Sequence, residues 1–335
     1  MDIGAEACPV IRAFAGSGIF WRIDCRIFIS WIRTNIRNSI YPGGTLRRDI
    51  CALADCMVDQ SFDKTQRIVR MREPPVRGCV VITGSTRGFG YHMAEELLKA
   101  GINVVISGRG ADAVQRALDS LSSKAAAGFA CDVRYASQID NLWNFAVKQF
   151  SFVDIWINNA GISQSYRNIW EIDVEEYRSV IETNILGTMY GSRRAFLGMT
   201  AQGEGRIFNV EGWGSDGKHM KRLNIYGTTK NALTYFTKGL EQESRKTGIC
   251  VGYLKPGMMV TDFLIKPMKD DPERIERSRK IFNILADRPE TVARNFVPRL
   301  LAVRHTGARI TWLTTFKIVL RFLFSPFTMR SVFES

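Results

Sequence analysis

The sequence predicts an α/β protein built on a doubly wound parallel sheet. Two observations carry this. From residue 79 onward, short apolar runs alternate with longer amphipathic segments, and a glycine-rich stretch, TGSTRGFG at 83–90, lies between the first run and the first segment. Runs too short for helices, alternating with segments long enough for them, are the pattern of a parallel sheet covered by helices on both faces. Right-handed crossovers then give a doubly wound order.

Taken in order, residues 1–76 read as an amphipathic extension. Within it IFWRIDCRIFISWI (19–32) is strongly apolar, and Arg22, Arg26, Arg33 and Arg37 recur at helical spacing along one face. Charge interrupts that apolar run, which argues against a signal peptide. As a transit peptide the segment is imperfect, being poor in serine and carrying Asp2, Glu6 and Asp24. YPGG (41–44) turns the chain, and Pro74 and Pro75 end the extension.

CVVIT (79–83) is then a short buried strand, followed by a helix from about 88 to 100. INVVIS (102–107) is the second strand, with a helix near 111–122, and AGFACDV (127–133) ends the third. A helix over 136–150 leads to VDIWIN (153–158). One long helix spans 173–200, RIFNV (206–210) is the fifth strand, 224–246 a helix and ICVGYL (249–254) the sixth strand. Asp287 and Pro289 start a helix running to about Val303, with proline in the first turn. ARITWL (308–313) reads as an edge strand and 314–324 as a helix with Lys317 and Arg321 one turn apart.

Composition narrows the function. Of 335 residues, 45% are apolar and 24% charged, ordinary for a globular chain. No window of about 18 residues is free of charge, so a spanning helix is not expected. Seven cysteines without a C-x-x-C pair argue against a disulfide scaffold and for a reducing compartment. The three histidines, His92, His219 and His305, are dispersed, so no metal site is expected. Net charge is +13, and residues 299–335 carry six bases and one acid, Glu334. Those bases are interleaved with Trp312, Phe316, Phe322, Phe324 and Phe327. No nucleic-acid motif accompanies them. A peripheral membrane surface, a contact between copies and core packing remain open for both basic flanks.

The glycine turn carries the first chemistry. Gly84, Gly88 and Gly90 let the backbone turn tightly and approach a ligand, and the following helix offers free N–H groups to a pyrophosphate. An NAD site usually places a carboxylate at the end of the second strand. Here that strand ends Ser107, Gly108, Arg109. Arg109 and Arg87 are instead placed to meet a 2′-phosphate, which points to NADPH/NADP+. Tyr226 and Lys230, in YGTTK, share one helical face. A lysine ammonium beside a phenol favours phenolate and lowers the tyrosine pKa, as a proton-transfer group beside a hydride donor requires.

With these in place, residues 77–312 resemble the short-chain dehydrogenase/reductase family, a Rossmann-fold group. The motifs are TGSTRGFG (83–90), CDV (131–133), NNAG (158–161), Asn184, YGTTK (226–230) and PGMMVTD (256–262). The resemblance implies cofactor contacts from Gly84, Ser85, Thr86, Arg87, Gly88, Phe89 and Gly90 at the pyrophosphate. Asp132 and Val133 would flank the adenine, and Asn159, Ala160 and Gly161 would support the cofactor. Pro256, Gly257 and Thr261 would close over the nicotinamide. It also implies Tyr226 as general acid/base, Lys230 on the nicotinamide ribose as well, and Asn184 carrying a water in a proton relay. Homo-oligomers through the helices at 173–200 and 224–246 are common in the family.

One position departs. The family usually carries a serine just after the fifth strand that hydrogen-bonds the reacting carbonyl, and here the step reads Glu211, Gly212. Losing such a donor costs about 10² or more in rate unless another replaces it. Ser215, among Gly212, Gly214 and Gly217, is the candidate replacement.

The acid–glycine step, GSDG, YGTTK and the PGM segment also resemble the chlorophyll(ide) b reductase branch. That likeness implies NADPH-dependent reduction of a chlorin formyl group to hydroxymethyl, and a thylakoid location in the chloroplast. The alternatives are a membrane-associated reductase of a lipid, steroid or retinoid carbonyl, at the cytosolic face of a membrane, and a low-turnover NADP-binding scaffold. Met258, Met259, Phe263, Leu264 and Ile265 fall in an expected substrate lid over about 257–286, where they would suit a large lipophilic substrate. Residues 313–335 form a basic aromatic tail.

Overall fold

A computed structural model describes residues 77–261, 272–325 and 331–332. The arginine-striped helix expected before residue 77, and Phe263, Leu264 and Ile265 of the expected lid, lie outside the described residues. The strands are β1 (Cys79–Ile82), β2 (Asn103–Gly108), β3 (Ala126–Ala130), β4 (Val153–Asn158), β5 (Gly205–Val210), β6 (Ile249–Lys255) and β7 (Ala308–Thr311). The helices are α1 (Gly88–Lys99), α2 (Ala111–Leu121), α3 (Ala136–Phe150), α4 (Val174–Ile181), α5 (Gly187–Gln202), α6 (Asn224–Ser244), α7 (Pro272–Leu285), α8 (Pro289–Leu301) and α9 (Thr315–Phe324).

All seven strands are parallel, in the order β3-β2-β1-β4-β5-β6-β7. The order reverses between β1 and β4, and such a switch point opens a crevice at the carboxyl ends of the strands. Strand side chains alternate between faces, so Val80, Ile82, Val104 and Ile106 pack against Met93 and Leu97 of α1 and Phe296 and Leu300 of α8. Val81, Val105, Trp156 and Ile207 pack on the other face against Ile139, Leu142 and Trp143 of α3 and Met199 of α5. Burial on both sides is why these strands are continuous apolar runs rather than alternating ones.

Two expected elements differ. The third strand ends at Ala130, not Val133. The Asp132 N–H donates to Gln138 Oε1 (2.8 Å), and the Asp132 carbonyl accepts from the Tyr135 N–H (3.1 Å). CDV is therefore a turn leading into α3. The single helix expected over 173–200 is two, α4 and α5, joined by a π-helical turn at Glu182–Leu186. Such turns often sit at functional positions, and this one carries Asn184, which is wholly buried.

Three of the carboxy-terminal bases have partners on the protein itself. The Arg309 guanidinium donates to Glu211 (3.1 Å) and lies 3.9 Å from the Tyr253 ring centre. Arg321 reaches Asp287 at 2.7 Å and the Leu285 carbonyl at 2.9 Å. Lys317 stacks over Trp312. Of the three tail bases expected at a membrane, Arg321 is thus largely buried against Asp287 and Lys317 covers Trp312, while the Arg309 side chain stays 49% exposed beside Glu211. What α9 exposes instead is Phe316, Val319, Phe322 and Leu323.

Candidate active site

The crevice begins at the turn after β1. Gly84 (φ +62°) and Gly88 (φ +60°) adopt left-handed backbone that side chains disfavour. A β-carbon on Gly84 would also lie 2.7 Å from Ala160 Cα, so the NNAG loop seats directly on the turn. Asn159 fastens that contact, its side-chain amide donating to the Thr83 and Gly84 carbonyls (2.9 Å each). Thr83 Oγ1 accepts from the Asn159 and Ala160 N–H groups (3.0 and 3.1 Å). The start of α1 has no side-chain cap and no acidic residue in its first turn, which leaves first-turn N–H groups for an anion.

The predicted turn residues divide into two groups. Ser85 is buried, donates to the Ile82 carbonyl (2.6 Å) and accepts from the Ser107 N–H (3.0 Å), so it ties the turn to β2. Phe89 is buried edge-on against Phe296. Thr86 lies beside Gly108, while Arg87 and Arg109 are exposed at the lip. Asp132 is gripped by the Arg134 guanidinium (2.6–3.0 Å), and Val133 is buried. Thr261 reaches the turn, its Cγ2 3.7 Å from where a Gly88 β-carbon would stand. Gly257 (φ +78°), after Pro256, lets the chain pass Leu313. Ser107 Oγ, at the end of β2, is buried without a hydrogen-bond partner. Left-handed glycines, an uncapped helix start, an orphaned hydroxyl and arginines at the lip fit a nicotinamide dinucleotide, with its phosphates at the turn.

On the other side of the crevice, α6 presents Tyr226 and Lys230, both buried. The Tyr226 N–H donates to Gln164 Oε1 (2.9 Å), and Gln164 Nε2 donates to the Arg222 carbonyl (3.1 Å). Gln164, which holds the start of α6, carried no sequence signal beyond its nearness to NNAG. Lys230 Nζ donates to the Val210 carbonyl (3.0 Å) and lies 5.8 Å from the centre of the Tyr226 ring. Burial pushes the lysine down to about 8, against the opposing pull of Glu211. Burial pushes the phenol up from its ordinary value. The expected lowering by lysine is therefore corrected: desolvation dominates, and the phenol is held protonated, as an acid must be before it gives a proton.

Asn184 Nδ2 donates to the Ile162 carbonyl (2.9 Å) and Thr229 Oγ1 (3.0 Å), and its Oδ1 accepts from the Ile162 N–H (2.8 Å). It locks the loop after NNAG to α6. Ser215 is buried, and its hydroxyl oxygen accepts from the Gly212 N–H (3.0 Å). A β-carbon on Gly212 would stand 2.2 Å from the Tyr226 hydroxyl oxygen. The residue before it, Glu211, is also buried and accepts from Thr234 Oγ1 (3.1 Å) and Arg309. Met258 packs beside Phe282 and Ala286, within the expected lid itself, and Met259 packs on the main core.

Known proteins resemble this chain. Over 261 residues the chain is 34% identical to the probable chlorophyll(ide) b reductase NYC1 of Arabidopsis thaliana, a match covering 72% of this chain and 51% of that protein. Over 251 residues it is 37% identical to the chlorophyll(ide) b reductase NOL of the same plant, covering 72% and 71%. The chain thus spans about half the length of the first relative and most of the second. Among solved structures, a variant actinorhodin polyketide ketoreductase with NADPH superimposes with a TM-score of 0.62 at 26% identity, over 70% of this chain and 95% of that one. The family model for short chain dehydrogenase matches residues 78–271, more than half of the sequence. With the parallel sheet, the glycine turn and the tyrosine–lysine helix in the order that family uses, the chain belongs to the short-chain dehydrogenases.

Proposed function

We propose that the protein is an NADPH-dependent reductase of a large lipophilic aldehyde, a formyl group on a chlorin ring of the chlorophyll(ide) b type. The observation that carries the chemistry is the Tyr226 phenol, buried with Lys230 on one face of α6. When bound, NADPH supplies the hydride. Tyr226 gives the proton to the carbonyl oxygen, and Lys230, fixed on the Val210 carbonyl, stabilises the phenolate left behind. The glycine turn, Thr261 and the Asn159–Gly161 loop hold the cofactor. Arg87 and Arg109, with no carboxylate ending β2, favour the 2′-phosphate form. Asn184 serves as a positioning residue, since its side-chain amide ties the loop to α6. The Ser215 hydroxyl keeps its proton to donate toward substrate while its oxygen accepts from Gly212.

The substrate reading is supported by likeness to two proteins named chlorophyll(ide) b reductase, both described as chloroplastic. A chloroplast membrane surface is the matching location, although no helix among the described residues is long and apolar enough to cross a membrane. Residues 77–312 then form the catalytic domain, 257–286 its lid and 313–335 the membrane-facing tail. Exposed Leu197 on α5 and Tyr235 on α6 suit a contact between copies. The test is NADPH oxidation by the purified protein with chlorophyllide b, retinal and a ketosteroid, and chromatographic identification of the product. Hydroxymethyl chlorin is the expected product; turnover of retinal or steroid without chlorin would overturn the substrate reading.

A further inference from the structure

The step that departs from the family puts a carboxylate where a neutral hydroxyl is usual. Adjacent residues leaving a strand face opposite ways, so Gly212 turns to the Tyr226 hydroxyl while Glu211 turns further along α6, to Thr234, one turn beyond Lys230. There the carboxylate is buried, its side chain 3% exposed. Burying a charge is costly unless it is paired. Its partners come from two elements: Thr234 Oγ1 of α6 at 3.1 Å, and the Arg309 guanidinium of β7 at 3.1 and 3.4 Å. Arg309 is itself stacked on Tyr253 of β6, whose hydroxyl donates to Glu241 (2.9 Å). Lys230 lies across the same step. Its ammonium sits on the carbonyl of Val210, immediately before Glu211, and its Cγ and Cε lie 3.3 and 3.2 Å from where a Gly212 β-carbon would stand. Thr234 closes the ring, its single hydroxyl proton shared between the Glu211 carboxylate and the Lys230 carbonyl (3.2 Å).

We propose that Glu211 is a positioning residue for Lys230: its buried carboxylate, braced by Arg309 and Thr234, supplies the counter-charge that keeps the Lys230 ammonium in place beside Tyr226. This rests on Tyr226 and Lys230 being the proton-handling pair of the proposed reaction. The need is physical. Burial drives Lys230 down to about 8, and the Glu211 charge opposes that fall. Without it, a buried amine would lose its proton nearer neutrality and no longer stabilise phenolate. Among the described residues, the charged and titratable groups on this assembly are Glu211, Lys230, Tyr226, Arg309, Tyr253 and, behind Tyr253, Glu241. Arg309 offsets part of the Glu211 field, so the two variants have opposite expected signs.

The test titrates Lys230 directly by NMR of lysine-labelled protein, with its resonance assigned by loss in Lys230→Arg, alongside the pH profile of kcat/KM. In Glu211→Gln the Lys230 titration and the alkaline limb should move together to lower pH, by about one unit. In Arg309→Gln both should move upward. Glu211→Asp should restore much of the parent profile. A purely structural ion pair would give two destabilised proteins with an unmoved Lys230 titration, or shifts of the same sign, and either result overturns the proposal. The NMR reading needs no substrate: a shifted Lys230 in a protein inactive on chlorins would refute the substrate and leave the Glu211 coupling standing. If Glu211→Gln does not fold, Arg309→Gln and Glu211→Asp still decide the sign.

Discussion

The α-carbon of Gly212 faces the hydroxyl of Tyr226, and a β-carbon there would stand 2.2 Å from the phenol oxygen. No side chain enters that space unless the phenol moves. The family's usual serine at this step therefore cannot simply be put back. Gly212→Ser is expected to push the Tyr226 hydroxyl off its position and lower kcat by about 10²-fold, the order of loss for a displacement near 1 Å. Stopped-flow turnover with an aldehyde substrate checks this. A variant as fast as the parent would mean that Tyr226 yields and the added hydroxyl is accepted.

Tyr226→Phe should remove the proton donor and little else. The backbone N–H still bonds Gln164 and the ring still fills its buried site. Turnover is expected to fall by about 10²–10⁴-fold while NADPH affinity, read by fluorescence titration, stays within about twofold. Lys230→Ala should damage both, because it empties the space under β5 and leaves the Val210 carbonyl without its donor. A Tyr226→Phe protein that keeps a tenth or more of the parent rate would show that another group gives the proton.

Cofactor preference should follow the lip of the crevice. Arg109 is exposed and free to swing toward a 2′-phosphate, whereas Asp132 nearby is already committed to Arg134. Arg109→Asp is expected to weaken NADPH by about tenfold or more, the loss of one charge-assisted contact replaced by repulsion, and to narrow the gap to NADH. Equal use of NADPH and NADH by the parent would refute the assignment.

The parallel sheet was legible because the central strands, β1 and β4 above all, are buried on both faces, which makes them compact apolar runs. The glycine turn and the Tyr226–Lys230 pair were legible because their geometry is local. What spacing alone did not show is non-local or depends on desolvation. The upward shift of Tyr226 comes from burial, which spacing does not contain. The break at Glu182–Leu186 follows from Asn184 reaching Ile162 and Thr229, contacts far apart in sequence. The pairing of Glu211 with Arg309 joins the ends of β5 and β7. A lone acid at the mouth of an apolar strand does signal that some cation must come to it, but not which one. In the tail, spacing shows the charges but not the direction in which each side chain turns.

That direction changes how attachment to a membrane should work. On α9 the bases turn inward, to Asp287 and Trp312, while Phe316, Val319, Phe322 and Leu323 form the outward face, with Phe316 65% exposed. Arg321→Gln breaks an ion pair whose carboxylate is buried and whose guanidinium is 15% exposed. It should cost stability, on the order of 3–5 kcal/mol for a broken buried pair, and so lower Tm. It should not loosen the folded protein from vesicles. Phe316→Ser with Phe322→Ser should do the reverse. Each exposed ring can contribute about 1.5–3 kcal/mol when fully buried, so binding to phosphatidylglycerol vesicles should weaken by about tenfold or more with Tm held or raised. High salt should release the parent only in part, since the aromatic contribution is not screened. Flotation with all three proteins separates the cases. If the double variant floats as well as the parent, α9 is not the attachment face; if Arg321→Gln floats less while still folded, the basic side chain reaches lipid after all.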